Sequence, residues 1–156
     1  EQKLRWMNGR YLRELDAGDL QTRLEALVGR DLRRDVVEIA QEKISTLDEF
    51  WPIASFFFDG PADDPAAREK ILGVDGARHG LAAARKALAA SEDWTIGGVE
   101  STLRGVLEGE ALKPKQVFQP IRVALAGGTV SPGIFETVSV LGRDEVLKRI
   151  DGALDE

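Results

Sequence analysis

Apolar residues return at three- and four-residue intervals along nearly the whole chain, and no run separates cleanly with a period of two. Such spacing builds helices with one buried stripe and leaves little material for a sheet. Leu20, Leu24, Leu27 and Val28 fall at i, i+4, i+7 and i+8, with Asp19 as the expected N-cap and Gly29 as the stop. Val36, Val37, Ala40 and Ile44 repeat the pattern. Thr46-x-x-Glu49 has capping-box form and predicts a helix through Phe50, Trp51 and Ile53, with Pro52 tolerated near its start.

Turn formers are densest from Asp59 to Pro65, which places a boundary between a first helical subdomain, 1–62, and a second, 63–156. Phe56, Phe57 and Phe58 just before it read as core, because consecutive aromatics bury area efficiently. Beyond the boundary, helices are expected over 66–72, 77–90, 95–107, 115–125, 132–141 and 144–154. The fold class is therefore all-α, two helical subdomains forming a bundle or cage. A chain of 156 residues can bury roughly 70% of its unfolded surface, enough for a sizeable core.

Several chemistries are excluded by residue type. With no cysteine there is no disulfide, thiolate metal site or thiol nucleophile, which fits a reducing cytoplasm. The single histidine, His79, has no second His or Cys to complete a common metal site, and reads as a partly exposed helical residue. Gly127-Gly128 lacks the lysine and Ser/Thr of a P-loop. Asp63-Asp64 and Glu92-Asp93 stand at helix starts, where carboxylates cap. No apolar run approaches the roughly 18 residues of a membrane span, so a soluble protein without a membrane partner is expected. The opening Glu1-Gln2-Lys3 has no signal-peptide pattern after it and reads as a segment lacking its natural start.

The charge distribution points to binding. Net charge is −6, which argues against a general nucleic-acid or DNA binder. Residues 1–65 hold 9 basic and 14 acidic side chains, whereas 66–156 hold 12 and 13, and between Glu110 and Glu136 every charge is positive: Lys113, Lys115 and Arg122. A local patch on an acidic body favours one docking pose for a polyanion. Arg122 has a planar fork of donors suited to base edges and phosphates. Ser131, Pro132 and Ile134 supply a hydroxyl, a flat ring and an apolar face, the kinds of surface on which unpaired bases are held. Two other readings stand beside this one: a tight helix–helix connection through Gly127, Gly128, Pro132 and Gly133, and a helical protein–protein adaptor whose segments around Phe135 and Val138 receive a partner helix.

Three blocks in order carry a family resemblance: KLRWMNGRYL (Lys3 to Leu12), TLDEF with the following FFF (Thr46 to Phe50, Phe56 to Phe58), and QPIRVALAGGTVSPGIFETVSVLGRDEVLKRI (Gln119 to Ile150). Together they resemble the C-terminal anticodon-binding region of bacterial glutamyl-tRNA synthetases over nearly the full chain. The resemblance implies a cytoplasmic class I aminoacyl-tRNA synthetase, a ligase of protein biosynthesis, whose Rossmann catalytic domain uses ATP and Mg through HIGH-type and KMSKS-type motifs. Neither motif occurs here, and RHGL at Arg78 to Leu81 is a helical stretch in the wrong place. The implied partners are tRNA(Glu) and the enzyme's own N-terminal catalytic and stem-contact domains, with this chain itself non-catalytic and needing no cofactor.

By the same resemblance, Arg122 falls on the arginine that contacts the first anticodon bases, and Ser131, Pro132 and Ile134 on the loop positions that hold them. Members charging only tRNA(Glu) carry an arginine just before the T-L-x-E-F block to read the third base; this chain has Lys43 there. The change implies relaxed specificity that extends to tRNA(Gln). Arg104, Lys113 and Arg10 are expected backbone contacts, and Trp6 is expected to pack against the stem-contact domain.

Overall fold

A computed structural model describes all 156 residues. It contains helices and connections and no strand. In chain order they are α1 (Gln2–Glu14), α2 (Ala17–Val28), α3 (Arg34–Gln41), a 3-10 turn (Leu47–Glu49), α4 (Phe50–Ala54), α5 (Phe56–Asp59), α6 (Pro65–Leu72), α7 (Ala77–Ala90), α8 (Ile96–Gly109), α9 (Pro114–Ala126), α10 (Ile134–Leu141) and α11 (Arg143–Leu154).

Helix boundaries follow their caps. Gly29 ends α2 in the left-handed region at φ 80°, as the stop signal predicts. The N-cap of α2, however, is Asp16, whose Oδ2 accepts from the Gly18 and Asp19 amides at 2.9 and 3.3 Å. The helix starts at Ala17, so Asp19 lies inside its first turn. Thr46 does not cap. The Glu49 carboxylate reaches one residue further back, to the Ser45 amide at 2.7 Å, and also binds Arg5 of α1. The Ser45 bond is the main cause that holds the Glu49 carboxyl below its ordinary pKa. Ile44 lies beyond the end of α3 yet is fully buried. Asp64 caps α6 through the Ala67 amide at 3.0 Å, and Asp93 binds Thr95, the N-cap of α8.

Buried side chains form two clusters. One, from Leu12 to Phe57, joins α1 to α5 around Leu20, Leu24, Val37, Ile44 and Phe50. The other, from Leu72 to Ile150, joins α6 to α11 around Leu81, Leu103, Ile121 and Leu125. Phe56 and Phe57 are buried, while Phe58 is half-buried against Trp51.

Helix α9 is the axis of the second cluster, burying Val117, Ile121, Val123, Ala124 and Leu125. Pro120 has no N–H to give the Gln116 carbonyl. Gly80 of α7 approaches that carbonyl so closely that a Cβ would collide with it, and the two helices cross at near backbone contact. At its C-terminal end α9 touches the first cluster through Ala126. There the Ala62 amide donates to the Ala126 carbonyl at 2.9 Å, and buried Arg149 of α11 donates to the Leu125 carbonyl at 2.8 Å. These donors satisfy carbonyls that a helix end leaves open.

Gly127 then turns the chain at φ 82°, with its Cα packed on the Ala62 backbone. A side chain there is excluded twice, by backbone conformation and by collision with a neighbouring main chain. Gly127→Ala is expected to lower the unfolding free energy by at least about 2 kcal/mol, read from the urea midpoint. A midpoint within error of the unsubstituted chain would contradict the assigned contact.

Candidate nucleic-acid interface

The face of α9 turned away from the core carries Lys115, Phe118, Gln119 and Arg122, one stripe at i, i+3, i+4 and i+7. It floors an open cleft of about 550 Å³, walled by Lys70 and Ile71 of α6 on one side and by Thr129 and Ile134 on the other. Three cations line it, Lys70, Lys115 and Arg122, and no carboxylate does. None of the three belongs to an ion pair, although nine such pairs form elsewhere in the chain.

Arg122 is part-buried and its Nε donates to Ser131 Oγ at 2.8 Å; Ser131 in turn donates to the Pro132 carbonyl at 2.7 Å. Desolvation moves the guanidinium pKa below its ordinary value, yet arginine remains charged across the working pH range. A neutral hydroxyl therefore aims this cation without neutralising it. The loop that supplies the hydroxyl leaves α9 at Gly127 and enters α10 at Ile134, with Gly133 as N-cap.

The structure thus brings together Arg122, Ser131 and Ile134, which sequence spacing had grouped. It also shows that Pro132 and Ile134 are buried, so they support the loop and offer only an edge. Phe118 and Thr129, which the sequence reading did not single out, also line the cleft. Lys70 and Gln119 were missed: Lys70 comes from α6, far away in sequence, and Gln119 carries no charge to mark it. Lys113 is exposed at the N-cap of α9, where its amide donates to Gln116 Oε1 at 2.9 Å. Arg104 of α8 pairs with Glu100 at 3.1 Å and lies 5.4 Å over the ring of Phe135, which meets Phe118 edge-on.

Lys43 and Arg10 belong to the other half of the chain. Lys43 is exposed just after α3. Arg10 pairs with Glu14 at 3.0 Å and lies over Trp6, which is 60% exposed. His79 is exposed, 2.8 Å from Glu110. Val138 is fully buried and Phe135 packs on Phe118, so the segment expected to receive a partner helix is already filled by the core. No helix is long and apolar enough to cross a membrane, and no cluster of His, Cys, Asp or Glu is placed to hold a metal ion.

The chain belongs to the anticodon binding domain family, whose model it matches over residues 5–154. Within that family it is similar to glutamate–tRNA ligases. It is 40% identical over 158 residues to that of Mycobacterium bovis (strain BCG / Pasteur 1173P2), covering 94% of this chain and 32% of the relative. It is 38% identical over 165 residues to that of Acidothermus cellulolyticus, covering 95% and 32%. In fold it resembles the glutamate tRNA ligase of Elizabethkingia meningosepticum, with a TM-score of 0.79 at 17% identity over 97% of this chain and 31% of that one. The glutamate-tRNA synthetase of Elizabethkingia anophelis gives 0.77 at 18%. The chain spans about a third of the length of these relatives.

Because Arg122 has no ionic partner, the fold depends on it little. Arg122→Ala should cost about 1 kcal/mol of stability, the scale of one hydrogen bond, measured by urea unfolding. A loss several times larger would show that the arginine is a structural element.

Proposed function

We propose that this chain is the anticodon-reading part of a glutamate–tRNA ligase, holding the unpaired anticodon bases of tRNA(Glu) in the α9 cleft while a catalytic domain elsewhere in the protein performs ATP- and Mg-dependent glutamylation. The observation that carries this reading is the cleft itself: three unpaired cations and no carboxylate, on a chain of net charge −6. A cleft lined by cations with no carboxylate among them attracts an anionic partner. In this reading Arg122 contacts base edges, steadied by Ser131, with Pro132 and Ile134 holding the loop. Lys70 and Lys115 follow the phosphates. Exposed Lys113 adds a backbone contact, and Arg104 and Arg10 join it by leaving surface ion pairs that are worth only about 0.3–0.5 kcal/mol each.

The two buried clusters support a division into subdomains 1–62 and 63–156, with the first presenting Lys43 and its open α1 face towards the stem-contact domain. Linkage to that domain raises the effective concentration of the anticodon at the cleft, so the chain alone should bind weakly.

Binding is tested by titrating labelled tRNA(Glu) with the chain and with its Arg122→Ala variant. The substitution should weaken binding by about 1–3 kcal/mol, the range of one good bidentate base contact. The logarithm of the binding constant should fall with log salt at a slope between about −2.1 and −3.5, for three to five neutralised phosphates at roughly −0.7 each. Unchanged affinity and a flat salt response would remove the cleft from RNA binding.

Lys43 carries the finer proposal. Lysine keeps the charge of the arginine expected at that position but loses its planar pair of donors, so the third anticodon base is read less strictly. The ligase should then also place glutamate on tRNA(Gln), and Lys43→Arg should suppress that product by at least about tenfold, a bidentate contact's share of discrimination. Charging assays with both tRNAs decide; no glutamyl-tRNA(Gln) from the unsubstituted enzyme contradicts it.

A further inference from the structure

Lys43 stands in the middle of a short turn whose two ends are both fastened to α1. On the near side Gln41, a buried polar residue, donates through Nε2 to the Leu12 and Leu15 carbonyls at 2.7 and 2.8 Å, where α1 ends. On the far side α1 meets Ser45. Asn8 donates through Nδ2 to the Ser45 carbonyl, and Gly9 lies so close that a Cβ there would stand 3.0 Å from Ser45 Oγ. Arg5 binds the Glu49 carboxylate, whose other oxygen accepts from the Ser45 amide at 2.7 Å. Both main-chain polar groups of Ser45 are therefore held by side chains.

Stability alone does not account for these bonds. Asn8 is exposed, and Arg5 and Glu49 pair at the surface, where an ion pair contributes little. The apolar anchor of the turn is Ile44, which is fully buried in the first cluster. What the bonds fix is direction. A lysine is one charge on a flexible four-carbon stem and has no planar fork to aim it. Where its ammonium goes depends on where its backbone is held. Gln41 and Ser45, each two residues from Lys43 and tied to the same helix, hold that backbone on both sides.

We propose that Asn8 and Glu49 are positioning residues for Lys43: they hold Ser45 in register with α1 and so set the point from which the lysine reaches the third anticodon base. This rests on the role proposed above for Lys43 and deepens it, by naming what gives a flexible side chain its selectivity. Neither residue touches the RNA. Their parts differ in kind, since Asn8 must donate to Ser45 and Glu49 must accept from it.

The test measures binding of the full chain to the tRNA(Glu) anticodon hairpin and to hairpins in which one anticodon base at a time is changed. Lys43→Ala should reduce the penalty for changing the third base by about fivefold, the scale of one hydrogen bond. Asn8→Asp, which keeps the shape but has no N–H to give, should bring that penalty close to the level Lys43→Ala leaves, and so should Glu49→Ala. Glu49→Gln, whose carboxamide oxygen still accepts from the Ser45 amide, should retain it. Penalties at the first two bases should persist in every variant. A third-base penalty that falls in Lys43→Ala but survives in Asn8→Asp and Glu49→Ala overturns the assignment and leaves the role of Lys43 standing. No effect of Lys43→Ala removes that role, and the inference with it. Equal losses in Glu49→Gln and Glu49→Ala would assign the effect to the Arg5 ion pair and contradict the part given to Ser45. Lower unfolding temperatures with the same loss on every hairpin would make Asn8 and Glu49 structural residues only, which also overturns the proposal.

Discussion

The seat of Gly127 on the Ala62 backbone is the contact from which the rest of the molecule takes its arrangement. Here α9 ends, the loop bearing Ser131 begins, and the connection between the two buried clusters passes. Main-chain groups meet with no side chain between them, so their spacing cannot relax by a rotamer change. The Ala62 amide and the Arg149 guanidinium both donate to the last carbonyls of α9 and keep its end from fraying. A loop anchored this firmly can hold a hydroxyl at 2.8 Å from a guanidinium on the helix it follows. Positioning of that quality is what a site for flat, directional ligands needs.

Electrostatics and packing answer to each other along α9. Its buried face is aliphatic and close to neighbouring backbone, which fixes the helix in register. Its open face holds cations whose charge no carboxylate cancels, against the sign of the body as a whole. Arg122 is the meeting point: burial lowers its pKa, yet the one bond it makes is to a neutral oxygen. An ion pair in that place would have been easier to keep folded and harder to use.

Much of this was legible in the residues. The period of the apolar positions announced an all-helical chain, and glycine at 29 marked a helix end through its left-handed backbone. Cap positions were read less well. Asp19 was expected as the N-cap of α2, but Asp16 takes that place by accepting from the Gly18 and Asp19 amides. The Thr46 signature failed because Glu49 is drawn to Arg5 and Ser45, partners set by tertiary contact with α1. In the cleft, the local cluster Arg122, Ser131 and Ile134 could be found along the sequence. Lys70 could not, since its place depends on how α6 packs against α9.

The most direct test of the central claim, that the α9 cleft reads unpaired anticodon bases, is a backbone and arginine side-chain NMR titration of the chain with the tRNA(Glu) anticodon hairpin. The account predicts saturable shifts concentrated at Arg122 Nε, Gln119, Thr129, Ser131 and Ile134, and much smaller ones with a hairpin whose loop bases are removed. Shifts spread over α1 and α2, or the same response to both hairpins, would contradict it.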